Sequence, residues 1–222
     1  MLKPVSMQNK PRQCLGRPKD AAKREGIVRA ARKLFMDQGY ELTSVEAVAK
    51  MAEVSKLTIY SHFANKSELF KEVIQEGCNR QMAPDNFLNY AQLPLEEGLF
   101  QLARTITALV FSEDSLRLLR IIQSEAVQHP QIVKIFYQAG PQRVKAAFGE
   151  LLQHWGEQGK LTIPDIPVAT EQFFSLLKGE AHVKAMMNLD SGFNQTEMDA
   201  HIRVGVSLFL AGYQSKSSGE TL

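Results

Sequence analysis

The spacing of apolar residues divides most of this 222-residue chain into helices. Ile27, Ala30, Ala31, Leu34 and Phe35 recur at i, i+3, i+4, i+7 and i+8, which is one face of an amphipathic helix. The helical pattern starts at Asp20, and Gly39 follows as a natural stop. Two short helices come next, with Ser44 and Ser55 as N-caps, and Phe63 and Ala64 end the second. Asn65 and Glu68 then fit a capping box that opens a longer helix. Its inner face carries Leu69, Phe70, Val73, Ile74 and Gly77, and Pro84 lies beyond its end.

The remainder predicts more helices, over 95–111, 115–129 and 131–139. Another opens at Pro141, where Val144, Ala147, Phe148, Leu151, Leu152 and Trp155 give the clearest periodicity in the chain. After a proline-containing loop to residue 167, two final helices are expected over 168–189 and 196–213. No strand-like alternation and no internal repeat stands out, so the expected class is all-α. Residues 1–18 have prolines, polar residues and no periodicity, and a disordered tail is expected there.

Charge adds an asymmetry. Residues 1–66 hold 13 Lys/Arg against 6 Asp/Glu, while the rest holds 13 against 18. A basic first third on an acidic body points to a polyanionic partner for that third alone. The 23% charged and 44% hydrophobic residues are ordinary for a globular protein, and no apolar run is long enough to span a bilayer. Lys3, Lys10, Arg12 and Arg17 stand at the N-terminus without the apolar stretch of a secretory signal. Cys14 and Cys78 lie in unrelated segments, which argues against a disulfide framework and for a cytoplasmic setting. No GxGxxG, P-loop, GxSxG or HExxH is present, so an enzyme is not expected. His62, His129, His154, His182 and His201 lack metal-ligand spacing, so neither metal nor cofactor is expected.

Residues 43–63, TSVEAVAKMAEVSKLTIYSHF, place two short helices around a tight turn. That is the layout of a helix-turn-helix, whose second helix enters the DNA major groove. With LFMDQGY before it and NKSELF after it, residues of about 20–75 resemble the N-terminal domain of TetR-family transcriptional regulators. The remainder is similar in helix count and order to that family's ligand-binding and dimerisation domain. RIIQSEAVQHPQIVKIFYQAGPQRV looks like the AcrR/AefR-like branch. The resemblance implies a tail over 1–18, a three-helix DNA-binding domain over 19–66 and an effector-binding and dimerisation domain over 67–222. Two departures stand out: Glu53 replaces the family's turn glycine, and Leu57 replaces a glycine at the leading edge of the recognition helix.

At the recognition helix and its capping residue Ser55, Lys56, Leu57 and Ser61 are the candidates for base contacts, with Leu57 suited to a thymine methyl. By resemblance, Thr58, Tyr60, His62 and Lys66 hold phosphates, while Thr43 and Ser44 offer a hydroxyl and helix N-terminal amides to a phosphate. Gly16-Arg17-Pro18-Lys19 resembles a basic arm for the minor groove, with a solvated tail as the alternative. A pocket is expected among the helices between residues 95 and 189. Its candidate lining is Phe100, Arg104, Thr107, Phe111, Ile122, Phe136, Tyr137, Phe148, Trp155, Phe174, Lys178 and His182. Most of these also sit at core spacing. The family resemblance further implies a homodimer through the last two helices, with Ile202, Val206, Phe209, Leu210 and Tyr213 as one stripe and Phe173, Phe174, Leu177 and Ala181 as another.

The expected function is a ligand-responsive regulator, first of all a repressor, that binds a pseudo-palindromic operator in double-stranded DNA and is released by a small hydrophobic or amphipathic effector. Activation and effector-independent DNA binding are the alternatives. The helix over 66–82 joins both domains and is the expected route of coupling.

Overall fold

The computed structural model describes residues 17–189 and 194–215, apart from the side chains of residues 17–19 and 81. The described chain is all-α. Helix α1 (Arg17–Gln38) is followed by α2 (Val45–Met51), α3 (Lys56–His62) and α4 (Lys66–Gln81). A 3-10 segment (Pro84–Gln92) leads into α5 (Leu95–Val110), α6 (Glu113–Glu125), α7 (Pro130–Ala139) and α8 (Pro141–Glu157), and α9 (Ile166–Met186) and α10 (Gln195–Tyr213) close the chain. Among the described residues there is no strand, and no helix is long and apolar enough to cross a membrane. Because α1 begins at Arg17, it takes up the last two residues of the expected tail. The rest of that tail, and the side chains needed for a minor-groove arm, lie outside the described residues.

Local capping accounts for the first four helices. Ser44 Oγ accepts from the Ala47 N–H and Ser55 Oγ from the Thr58 N–H, both at 3.0 Å. These satisfy amide donors that a helix start leaves open. Asn65 accepts from the Glu68 N–H at 2.9 Å, but Glu68 turns its carboxylate toward Lys71, 3.7 Å away. Only half of the expected capping box is therefore made. A complete box opens α10 instead, between Asn194 and Glu197.

Two apolar cores follow. The first gathers Ile27, Ala31 and Phe35 of α1, Val48 of α2, Ile59 of α3 and Leu69, Phe70, Val73 and Ile74 of α4. It continues into Ile122 of α6 and Ile132 of α7, so packing does not break at residue 66. The second joins α5, α8, α9 and α10 around Phe148, Phe173 and Phe209. Phe148 and Phe173 stack at 4.5 Å, and Phe209 meets Phe173 edge-on at 5.0 Å. The sequence expected Phe100, Thr107, Ile122, Phe148 and Trp155 to line a pocket, but all five are buried in the packed interior. Both stripes expected at a dimer face, apart from the partly exposed Tyr213, are core residues too.

Two backbone features depart from regular helix. Gly179 (φ 48°, ψ −158°) breaks α9 in its second half, and the His201 ring meets the carbonyl of Leu177 at 3.2 Å beside the break. In the turn between α2 and α3, Glu53 stands at φ 53°. This left-handed conformation costs a residue with a Cβ about 1–2 kcal/mol. Replacing Glu53 with glycine removes that cost but frees the unfolded chain. The variant Glu53→Gly should gain roughly 0.5–1 kcal/mol of stability, read from its urea midpoint at unchanged slope.

Candidate nucleic-acid interface and ligand cavity

Helix α3 is seven residues long and buries only Ile59 fully. Lys56, Leu57, Tyr60 and Ser61 are exposed, spaced so that they share one side of the helix. Leu57 is 80% exposed and Tyr60 is 44% exposed. The Lys56 ammonium pairs with the Glu46 carboxylate on α2 and lies 5.8 Å from the centre of the Tyr60 ring. The pair raises the lysine and lowers the carboxyl from their ordinary values. Ser55 and Thr58 share a hydroxyl hydrogen bond of 2.8 Å, and the Ser61 hydroxyl donates to the Thr58 carbonyl at 2.7 Å. This face therefore presents an apolar tip between a lysine and an aromatic ring.

Three residues expected at phosphates are placed otherwise. Thr43 is 0% exposed, and its hydroxyl donates to the Gly39 carbonyl at 2.7 Å while accepting from the Gln38 amide at 3.3 Å. It closes the loop between α1 and α2 and has no hydroxyl to offer outward. The His62 side chain is 10% exposed and faces Asp20 of α1, with Nε2 3.3 Å from the carboxylate. The Lys66 ammonium donates to the carbonyls of Tyr40 (2.9 Å) and Glu41 (3.2 Å) and sits 4.2 Å from the Tyr40 ring centre. It fastens the loop to the start of α4. Ser44 and Ser55 remain at the surface as caps. Leu42, 77% exposed in the loop before α2, was not singled out by the sequence.

A cavity of about 320 Å³ opens where α1 and α4 meet the larger bundle. This lies at the lower end of ligand-pocket sizes, roughly 300–1,000 Å³. Phe136, Tyr137, Phe174, Lys178 and His182 line it as expected, while Arg104 and Trp155 do not. Arg104 pairs with Asp199 of α10 at 3.1 Å, on the surface, and Trp155 is buried in the second core. Phe111 stays behind the wall, its ring edge-on to His182 at 5.5 Å. The lining also takes in Phe35 and Met36 of α1 and Ile74, Gly77 and Cys78 of α4, which the sequence did not indicate. Burial pushes the Cys78 thiol above its ordinary range, which disfavours the thiolate.

Residues 27–73 match the family described as bacterial regulatory proteins, tetR family, and residues 97–215 match the AefR-like transcriptional repressor, C-terminal domain. The chain belongs to the TetR family. It is thus a DNA-binding transcriptional regulator and not an enzyme.

A solved TetR-family regulator from Mesorhizobium loti is 30% identical, covers 88% of this chain and 98% of its own, and superposes with a TM-score of 0.74. The flavonoid-responsive regulator FrrA is 28% identical over 89% of this chain and all of its own, with a TM-score of 0.71. The HTH-type transcriptional regulator YhgD of Bacillus subtilis is 32% identical over 98 residues, 40% of this chain and about half (51%) of that regulator.

In this TetR-family chain the buried Thr43 gives a direct check on its placement. Thr43→Val leaves the Gly39 carbonyl without its hydroxyl donor and should cost about 1–3 kcal/mol in chemical denaturation, with the DNA affinity of the folded protein unchanged. Loss of DNA affinity at unchanged stability would return Thr43 to the interface.

Proposed function

We propose that this regulator is a repressor that binds a pseudo-palindromic operator as a homodimer and is released by a small hydrophobic or amphipathic effector held in the cavity. The position of the cavity carries the reading. Its lining includes Phe35 and Met36 of α1 and Val73, Ile74 and Gly77 of α4, together with residues of the larger bundle. An occupant therefore touches the helices that hold α3. If it prefers the arrangement with recognition helices wrongly spaced, it weakens DNA binding by that difference in affinity. The aromatic lining suits an apolar ring system, and FrrA, a relative, is flavonoid-responsive.

In this reading Lys56, Leu57 and Ser61 meet base edges, while Ser44, Ser55, Thr58 and Tyr60 hold the backbone. The dimer forms through α9 and α10, supported by exposed Val168, Val183, Val204 and Leu208 on those helices. It sets the two α3 helices about 34–36 Å apart, one turn of DNA. The protein works in the cytoplasm, where its operator is.

Selection of bound duplexes from a random pool tests the reading, run with the native chain and Leu57→Gly and repeated with a panel of flavones. The native chain should recover a palindrome that one compound abolishes. Leu57→Gly should weaken the preference for thymine at one position per half-site by roughly three- to fivefold, the worth of about one buried methyl group. Recovery without a palindrome, or a palindrome that no cavity-binding compound disturbs, overturns it.

A further inference from the structure

We infer that the effector is an acid: an apolar body whose carboxylate or ionised phenol is taken by Lys178 on the cavity wall, with His182 beside it. The inference rests on the cavity being the effector site, as proposed above.

The charges around the cavity carry it. Among the described residues four Lys or Arg side chains border the space: Arg32, Arg80, Lys145 and Lys178. Three of them have carboxylate partners. Arg32 pairs with Asp114, Arg80 with Glu76 at 2.5 Å, and Lys145 with both oxygens of Glu171 at 2.6 and 2.8 Å. Lys178 has no carboxylate within ion-pair distance and no hydrogen bond to the described residues. Burial holds its ammonium below the ordinary lysine range, the nearby Lys145 charge adds to this, and the Glu171 carboxylate, engaged by Lys145, opposes it only in part. A desolvated cation without a carboxylate in contact is costly, and a ligand that brings one removes that cost.

His182 lies beyond the break at Gly179 and lines the same cavity. Burial, then the Lys178 charge, lowers its proton affinity. A bound anion would reverse that second effect and add a ring N–H donor beside the ammonium. The rest of the wall is largely apolar, including Phe35, Ile74, Leu109 and Phe174. A cationic ligand would meet Lys178 and Lys145 as like charges, and a purely apolar one would leave Lys178 unpaired. An acid with an apolar body satisfies both parts of the wall, through a charge-assisted hydrogen bond at one end and apolar burial along the other.

Three matched pairs of probes test this on the full chain by calorimetric titration: decanoate against decanamide, naphthoate against naphthamide, and a hydroxyflavone against its methyl ether. At least one acid should bind about tenfold or more tightly than its neutral partner, a difference of about 1.4 kcal/mol. The pair that shows the preference tells carboxylate from phenol. Lys178→Met should abolish the preference while the neutral partner binds as before, and Lys178→Arg should keep it. Lys178→Met should also melt higher than the native chain without ligand, which shows that it folds. Equal binding of acid and neutral partner, a preference that survives Lys178→Met, or no saturable binding by any of the three acids would overturn the inference. Operator binding measured alongside separates the two readings. An acid that needs Lys178 yet leaves operator affinity unchanged contradicts the repressor reading alone. Neutral probes that bind equally well and release the operator contradict the acid alone.

Discussion

Phe70 meets Phe35 and Tyr40 edge-on, at 5.1 and 5.2 Å, and this three-ring cluster fastens α4 to α1 and to the loop that carries α2. Phe35 and Tyr40 complete the triangle by stacking at 5.6 Å. Burial of each ring stabilises by roughly 1.5–3 kcal/mol, and the edge-on geometry adds about 0.5–1.5 kcal/mol for each aromatic pair. The Lys66 ammonium ties the same loop to the start of α4, and Arg24 pairs with Glu72 at 2.7 Å while lying over the Phe63 ring. Helix α4 is consequently part of the small bundle and not a linker to it. Its C-terminal half, through Ile74, Gly77 and Cys78, is also cavity wall. Packed interiors shift between discrete arrangements rather than deforming continuously, so a displacement of α4 would carry α3 with it.

The chain gives up local stability in two places. Glu53 holds a left-handed conformation in the turn that sets α3 against α2. Lys178 holds a desolvated ammonium with no carboxylate in direct contact among the described residues. Each breaks a rule that the surrounding helices obey: Glu53 next to the proposed DNA-contacting helix, Lys178 on the wall of the proposed effector cavity. Such exceptions gather where a protein must bind something. The Lys56–Glu46 pair is a milder case, since both groups are exposed and the pair holds Lys56, a proposed base contact, in place at little gain in stability.

The first four helices were legible because their signals are local. Ser44, Ser55 and Asn65 cap as their positions imply, and Gly39 (φ 83°) ends α1. Thr43, His62 and Lys66 were less legible because a hydroxyl, a ring or an ammonium near a helix end has two competing uses. Each here found a partner within the protein: the Gly39 carbonyl, Asp20 and the loop carbonyls. Which use wins depends on how α1 lies against α3 and α4, which no short window encodes. The cavity was half legible for the same reason. Phe136, Tyr137, Phe174, Lys178 and His182 lie on helices expected to surround it, while Phe100, Thr107 and Trp155 share their periodicity but point into close-packed core. The contribution of α1 and α4 came only from tertiary packing. The break at Gly179 did have a local sign, a glycine within an otherwise helical pattern.

The central claim is that occupancy of the cavity is felt at the DNA-reading helix through α4. Gly77 lines the cavity from α4, and a Cβ added there would meet no other atom within 4 Å. A phenylalanine at this position would fill part of the cavity without any ligand. Operator affinity of Gly77→Phe, measured beside its melting temperature, is the most direct measurement. The account predicts a folded protein whose operator affinity falls about five- to 150-fold, the usual span of allosteric coupling. A variant as stable as the native chain that binds the operator equally well would contradict it.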